Sequence, residues 1–238
     1  MKSDRIKIYF IFLCLSIVLF ADIGFSQDII AFGDSLTEGC GEPGVPYFAC
    51  GWEGRTYTYP LSLQALFDND HREITVKNFG KGGEQTWDGV NRLSEVLANS
   101  CELSVVSILL MEGTNDLFHN TDPSVVRFNL GIMIDKIREK KIQPILATIT
   151  PDPDHPWKEI SQTNELIRSL AAEKGVVLVD QYNELVTNWY WYTHHEGCYG
   201  DHLHPNALGF QAIATAWYKS MPRSNPPLPL LMLLRSKP

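Results

Sequence analysis

Three residues of this 238-residue chain have the types and spacing that acyl-transfer chemistry needs. Ser35 lies in FGDSLTEG, directly after an apolar run, and Asp201 and His204 lie together in GDHLHPN. A serine hydroxyl is a poor nucleophile unless a neutral imidazole takes its proton, and that imidazole needs a carboxylate to orient it. The Asp201-x-x-His204 spacing places both side chains on one side of a single turn. These motifs predict a catalytic triad of Ser35, His204 and Asp201, in one of the known chain orders.

Acyl transfer also needs hydrogen-bond donors at the place where negative charge develops on the substrate oxygen. Three donors are candidates for this oxyanion hole: the backbone amide of Ser35, the backbone amide of Gly83 in NFGKGGEQ and the side-chain amide of Asn115 in GTND. Glycine suits this role because the missing side chain lets the backbone approach a substrate. In isolation, each of these motifs is also typical of an ordinary turn.

Five apolar runs rich in β-branched residues alternate with helical patterns and must position these groups. The predicted strands lie in residues 28–33, 74–80, 103–113, 142–150 and 175–180, and the predicted helices lie near 58–68, 88–98, 123–140, 159–173 and 206–221. Such alternation is typical of an α/β fold with a parallel sheet between helices on both faces. Because ligands bind beyond the carboxyl ends of parallel strands, we expect the motifs that follow four of the strands to converge.

The chain has one segment that is typical of export. Lys2, Arg5 and Lys7 precede an apolar region, Ile8 to Ala21, and small residues follow before Gln27. The apolar region is shorter than the roughly 20 residues of a membrane-spanning helix. We therefore interpret residues 1–26 as a cleavable signal peptide and the mature protein as secreted or periplasmic, with a retained membrane anchor as the alternative.

The composition limits the class of protein to which the chain can belong. With 44% hydrophobic residues, the chain can bury a full core, and its net charge of −8 argues against a nucleic-acid partner. We expect one domain over residues 27–221 and a Pro-rich, apolar tail over 222–238 that is too short to span a membrane.

The four cysteines beyond the signal peptide permit disulfides. We favour pairing Cys40 with Cys50 over pairing Cys101 with Cys198, with four free thiols as the alternative.

The motifs taken together resemble those of the GDSL, or SGNH, hydrolases, which are serine esterases and lipases. The four blocks FGDSLTEG, NFGKGGEQT, GTND and DHLHPN occur in the family's order between about residues 28 and 221, and the pattern is similar to the lysophospholipase and thioesterase-like branch. The resemblance implies a flavodoxin-like three-layer α/β/α sandwich with a five-stranded parallel sheet. It also implies a carboxylic ester hydrolase without metal or organic cofactor, acting on a small-molecule, lipid or glycan ester. In the second block, either Gly82 or Gly83 supplies the oxyanion amide, and we choose Gly83.

Other interpretations of the C-terminal region remain open. The aromatic segment that contains Trp189 and Trp191 could form a substrate rim, as a platform for sugars or a wall for an acyl chain, or could pack the edge of the core. The alternatives to a lipid esterase are a carbohydrate O-acetylesterase, an acyl thioesterase and a glycan-binding module without catalysis. A zinc site is a further alternative, with ligands from His194, His195, Cys198, Asp201, His202 and His204.

Overall fold

The computed structural model describes residues 27–39, 58–99, 104–153, 157–193 and 202–221, with residues 157 and 158 described by their backbone alone. Several sequence-based predictions fall outside these ranges. They concern the signal peptide 1–26, the C-terminal tail 222–238, Asp201, and the cysteines Cys40, Cys50, Cys101 and Cys198.

The described residues form five strands and nine helices, with one short 3-10 turn at Val186–Asn188. The strands are β1 (Gln27–Gly33), β2 (Ile74–Gly80), β3 (Val105–Met111), β4 (Gln143–Ala147) and β5 (Val177–Val179). The helices are α1 (Ser35–Glu38), α2 (Tyr59–Asn69), α3 (Thr86–Asn99), α4 (Thr114–Phe118), α5 (Pro123–Glu139), α6 (Trp157–Lys174), α7 (Gln181–Leu185), α8 (Trp189–Thr193) and α9 (Ala207–Ser220).

The strands form one parallel sheet in the order β2-β1-β3-β4-β5. This is the flavodoxin-like order, in which the chain crosses over between β1 and β3. The three-layer fold with a five-stranded parallel sheet, predicted from the sequence, is confirmed.

Two apolar cores, one on each face of the sheet, explain the continuous apolar runs of the strands. Along β1, Ile29 and Ala31 pack into the core beneath α2 and α9, whereas Ile30 and Phe32 pack into the core beneath α3, α5 and α6. Successive side chains of a strand point to opposite faces, so a strand buried on both faces must be apolar throughout. The sheet therefore holds its carboxyl ends rigidly between two packed layers.

Local signals set the starts of two helices. The Asp122 carboxylate accepts a hydrogen bond from the Ser124 backbone N–H at 2.8 Å, and Pro123 occupies the first turn of α5. At α2, the Thr58 hydroxyl accepts from the Leu61 N–H at 3.3 Å. These are the side-chain caps that satisfy the first N–H groups of a helix.

The aromatic segment differs from its predicted form. The aromatic segment, residues 187–205, is predicted as a loop. In its described part, and in the residues just before it, residues 181–193 form two short helices joined by the 3-10 turn. The reason is packing, because Leu185 and Trp189 are buried in the core beneath α9. Within the described ranges, no helix combines the length and apolarity needed to cross a bilayer.

Candidate active site

The candidate site lies at the carboxyl ends of the three neighbouring strands β2, β1 and β3. Gly83 follows β2, Ser35 follows β1 and Asn115 follows β3. This edge of the sheet includes the crossover point between β1 and β3, which is where open α/β sheets bind their ligands. The segment before α9 brings His204 to the same edge.

Ser35 and His204 are in direct contact although 169 residues separate them in the chain. The Ser35 Oγ lies 2.9 Å from the His204 Nε2, a normal hydrogen-bond distance. Ser35 is buried and His204 is half-buried, so the contact is partly shielded from water. A neutral imidazole at this distance can accept the hydroxyl proton. Asp201, the predicted third member of the triad, is outside the described residues.

Asp34 sets the turn that presents Ser35. Its carboxylate accepts a hydrogen bond from the Leu36 N–H at 2.9 Å and so caps α1. Complete burial raises the pKa of Asp34 to about 7, although the Leu36 N–H and the nearby His204 both act to lower it. Gly33, just before it, is needed for close approach, because a Cβ there would lie 2.4 Å from the Met111 carbonyl oxygen.

In the turn after β2, the two glycines that could donate a backbone amide to the oxyanion have different surroundings. The Gly82 N–H already donates to the Glu38 carboxylate at 2.8 Å. Gly83 has a φ of +74°, which favours glycine, and the space where a Cβ would be is open. Gly83 is therefore the better candidate for an amide that faces substrate.

Asn115 is held in place by one of its two amide protons. Its Nδ2 donates to the Glu84 carbonyl oxygen at 2.9 Å and lies 3.5 Å from the Asp34 Oδ2, at the outer limit of hydrogen bonding. A primary amide has two donors, so one can anchor the side chain at Glu84 while the other, which makes only the long contact with Asp34, can instead be donated to a substrate oxygen. The arrangement is compatible with a donor role for Asn115.

Asp116 fixes the start of α3 beside Asn115. Its carboxylate accepts from the Thr86 N–H at 2.8 Å and from the Thr86 hydroxyl at 2.7 Å. The Asn129 amide donates to the same hydroxyl at 2.9 Å. Burial raises the pKa of Asp116, although its hydrogen bonds from Thr86 oppose that effect. This network joins the turn that carries Gly83 to α4, which carries Asn115.

A partly buried ion pair lies next to this network. The Arg92 guanidinium forms a bidentate contact with the Glu84 carboxylate, with Nε at 2.8 and 2.9 Å from its two oxygens. Arg92 also donates to the Phe79 carbonyl at 2.8 Å and lies over the Phe32 ring, 4.0 Å from its centroid. Paired in this way, the Glu84 side chain holds the backbone to which Asn115 is anchored.

Comparison with known proteins agrees with these observations. The family model for the GDSL-like lipase/acylhydrolase family matches residues 31–212, which is most of the chain. The chain belongs to the GDSL-like lipase/acylhydrolase family. This membership confirms the resemblance that the four sequence blocks indicate, and it assigns the protein to a family of hydrolases.

Solved structures with the same architecture include other members of the GDSL family. A lipase/acylhydrolase from Enterococcus faecalis superposes with a TM-score of 0.66 at 22% identity, covering 81% of this chain and 94% of that one. AlinE4, an SGNH-hydrolase family esterase, superposes with a TM-score of 0.60 at 24% identity, covering 84% of this chain and all of that one. These structural likenesses show the shared fold.

One curated relative matches in sequence over a shorter stretch. It is the uncharacterized lipoprotein YqeF of Bacillus subtilis strain 168, 30% identical over 152 residues. The match covers 59% of this chain and 57% of the relative, so this chain spans little more than half of that protein's length.

The predicted rim residues of this GDSL-family chain lie in different surroundings. Trp189 is only 3% exposed, and its indole N–H donates to the His202 carbonyl at 2.8 Å. Trp191 is 64% exposed on the same helix, α8. His202 has a φ of +56° and lies two residues before His204. Trp189 thus contacts the histidine segment, whereas Trp191 faces solvent.

The predicted zinc ligands are only partly within the described chain. His194, His195, Cys198 and Asp201 lie outside it. Among the residues that the structure describes, no cluster of three or more His, Cys, Asp or Glu side chains has the arrangement of a metal site.

The sequence motifs did not indicate the buried acids Glu38, Glu84 and Glu112 or the half-buried Arg92. One indication was present in the sequence. Glu112 directly follows the apolar run that forms β3, and a charged side chain is costly to bury there unless it is paired or neutral. Arg92 had no such signal, because an arginine in a helical pattern is ordinarily a surface residue.

Proposed function

We propose that this chain is a serine hydrolase that cleaves carboxylic esters through an acyl-enzyme. The observation that carries the proposal is the 2.9 Å contact between the Ser35 Oγ and the His204 Nε2. A serine hydroxyl within hydrogen-bond reach of an imidazole is the arrangement in which the imidazole activates the hydroxyl as a nucleophile. Membership of the GDSL-like lipase/acylhydrolase family supports the same chemistry.

In the proposed reaction, His204 removes the Ser35 proton as the Oγ attacks the ester carbonyl carbon. The negative charge that forms on the carbonyl oxygen is stabilised by the amides of Ser35 and Gly83 and by the Asn115 side chain. His204 then gives its proton to the leaving alcohol, and water hydrolyses the acyl-enzyme with the same histidine as base. Asp201 is proposed to orient His204, as its spacing predicts.

The decisive test compares the wild type with Ser35→Ala and His204→Ala on nitrophenyl acetate. Each variant should lose at least a thousandfold in kcat, because triad residues act as a unit. Asn115→Ala should lose about 100-fold or more, as removal of one oxyanion donor does. Circular dichroism and Tm serve as controls for folding. Retention of wild-type turnover by Ser35→Ala would overturn the proposal.

We further propose that the chain is exported and that residues 1–26 are removed as a signal peptide. Two observations support this location. The N-terminal segment has the charge and apolarity of a signal peptide. In addition, the Bacillus subtilis relative is named a lipoprotein.

A further inference from the structure

A cavity of about 530 Å³ lies beyond the ends of β4 and β5. Its walls come from the segment after β4, from α6 and from the aromatic segment, and they include Pro151, Pro153, Ile160, Val186 and Trp189. The volume is within the range of pockets that hold small organic molecules. The wall is mostly aliphatic and aromatic.

Two polar side chains in the wall, Trp189 and Thr193, already donate hydrogen bonds within the chain. The Thr193 hydroxyl donates to the Trp189 carbonyl at 3.0 Å, and the Trp189 indole N–H donates to the His202 carbonyl at 2.8 Å. Asp152 and His202 also line the cavity, and each has an interaction partner within the chain. A sugar needs several hydrogen-bonding partners when it is buried, whereas a hydrocarbon needs none. The wall therefore suits an apolar occupant.

The cavity adjoins the candidate active site through its histidine segment. His202 is part of the cavity wall, and His204, two residues further on, contacts the Ser35 Oγ. Two residues of extended chain span at most about 7 Å. A substrate whose ester group is at Ser35 is therefore close enough to place a chain in the cavity.

We propose that this cavity holds an apolar chain of the ester substrate, so that medium-chain and long-chain esters are preferred over acetyl esters of polysaccharides. This inference rests on the proposed esterase function and names its substrate class. An acetyl ester of a sugar has no group that would fill an apolar cavity of this size. By contrast, each methylene buried there favours binding by about fourfold.

The test uses Val186→Trp, which places a large side chain at the cavity wall. Val186 is 42% exposed, so the substitution is compatible with folding. Val125→Trp is the matched control, because Val125 on α5 is equally exposed and does not line the cavity. Val186→Asp is a second variant that adds a charge instead of bulk.

Two ester series are measured with each protein. One has a nitrophenyl alcohol and acyl chains from acetate to palmitate, and the other has an acetyl group and alcohols of the same lengths. We expect wild-type kcat/KM to rise with chain length in at least one series. Val186→Trp and Val186→Asp should lose at least tenfold on eight-carbon substrates and keep acetate hydrolysis within twofold, with Val125→Trp unchanged. The series that responds identifies the acyl or the alcohol side as the one in the cavity.

A binding measurement separates this inference from the proposed function. Calorimetry with decanoic acid on Ser35→Ala reports the cavity without catalysis, and Val186→Trp in that background should weaken binding at least tenfold. If decanoic acid binds in this way but no ester is hydrolysed, the esterase proposal fails and the apolar site stands. If acetate is hydrolysed in a Ser35-dependent manner but decanoic acid does not bind, or Val186→Trp behaves like Val125→Trp, the cavity inference is overturned.

Discussion

At the scale of single residues, Glu112 is a buried acid that has no part in the proposed reaction. It is 2% exposed, and among the described residues neither of its carboxyl oxygens has a donor within hydrogen-bond distance. Burial raises the pKa of Glu112 well above its ordinary 4.5, and the negative charges of Asp34 and Glu84 raise it further, against the opposing charge of Arg92. A protonated carboxyl carries no charge, so Glu112 can stay buried without a cationic partner within hydrogen-bond distance.

This raised pKa makes stability depend on pH. In the unfolded chain the carboxyl ionises near its ordinary pKa, whereas the folded protein keeps the proton to higher pH. Stability from this group is complete at low pH and is lost as the pH rises, at about 1.4 kcal/mol per pH unit above 4.5. Glu112→Gln is uncharged at every pH, so its free energy of unfolding should rise relative to that of the wild type as the pH is raised from 5 to 7.

Urea denaturation at the two pH values measures this difference in the free energy of unfolding. Glu95→Gln, at an exposed position of α3, is the control for the loss of one acidic side chain. A difference between Glu112→Gln and the wild type that stays constant from pH 5 to pH 7 would show that Glu112 is ionised in the folded protein.

At the scale of elements, the short helix α8 is joined to the segment that carries His204. The Trp189 indole donates to the His202 carbonyl, the Asn206 side chain donates to the Trp191 carbonyl at 2.8 Å, and the Asn206 N–H donates to the Tyr192 carbonyl at 2.6 Å. These contacts flank His204 on both sides in sequence. We infer that α8 positions the histidine.

Trp189→Phe tests this role because it keeps an aromatic ring while removing the N–H donor and part of the buried indole. One such hydrogen bond contributes about 1 kcal/mol, so kcat on nitrophenyl acetate, which has no chain to enter the cavity, should fall about fivefold while KM changes little. Trp191→Phe, an exposed change on the same helix, should leave both constants unaltered. Ester hydrolysis and Tm are measured for both variants. Equal kinetics for the two, with Tm preserved, would exclude a positioning role for the Trp189 N–H.

At the scale of the whole molecule, the residue after the predicted cleavage point already belongs to the sheet. Gln27 is the first residue of β1, and its N–H donates to the Glu73 carbonyl at 3.1 Å. Asp28 continues the strand with a bond to the Ser104 carbonyl at 2.9 Å. The sheet can therefore form after cleavage before Gln27.

We expect the protein recovered from the periplasm or medium of an expressing bacterium to begin at Gln27. Intact-mass measurement should show the loss of residues 1–26, and a chain expressed from Gln27 should have the same kcat and Tm. Recovery of the full-length chain in the membrane fraction alone would support the retained anchor instead.

The sequence by itself determined the five strands, the longer helices and the family, and it predicted that Ser35 and His204 act together. The fold and family predictions are confirmed because they depend on local information: apolar runs for strands, caps such as Asp122 for helices, and motif blocks in a set order. The carboxyl ends of parallel strands meet at one edge of the sheet, so short motifs far apart in the chain could be placed together.

Only the tertiary structure decided which amide is engaged, which charges are buried and where the cavity lies. Gly82 and Gly83 are equivalent in the sequence until Glu38, from another turn, binds one of them. The pKa of Glu112 is raised by burial and by neighbouring carboxylates that packing brings together. The cavity likewise needs segments from four parts of the chain. Desolvation and long-range contact arise from packing, and no local pattern of residues specifies them.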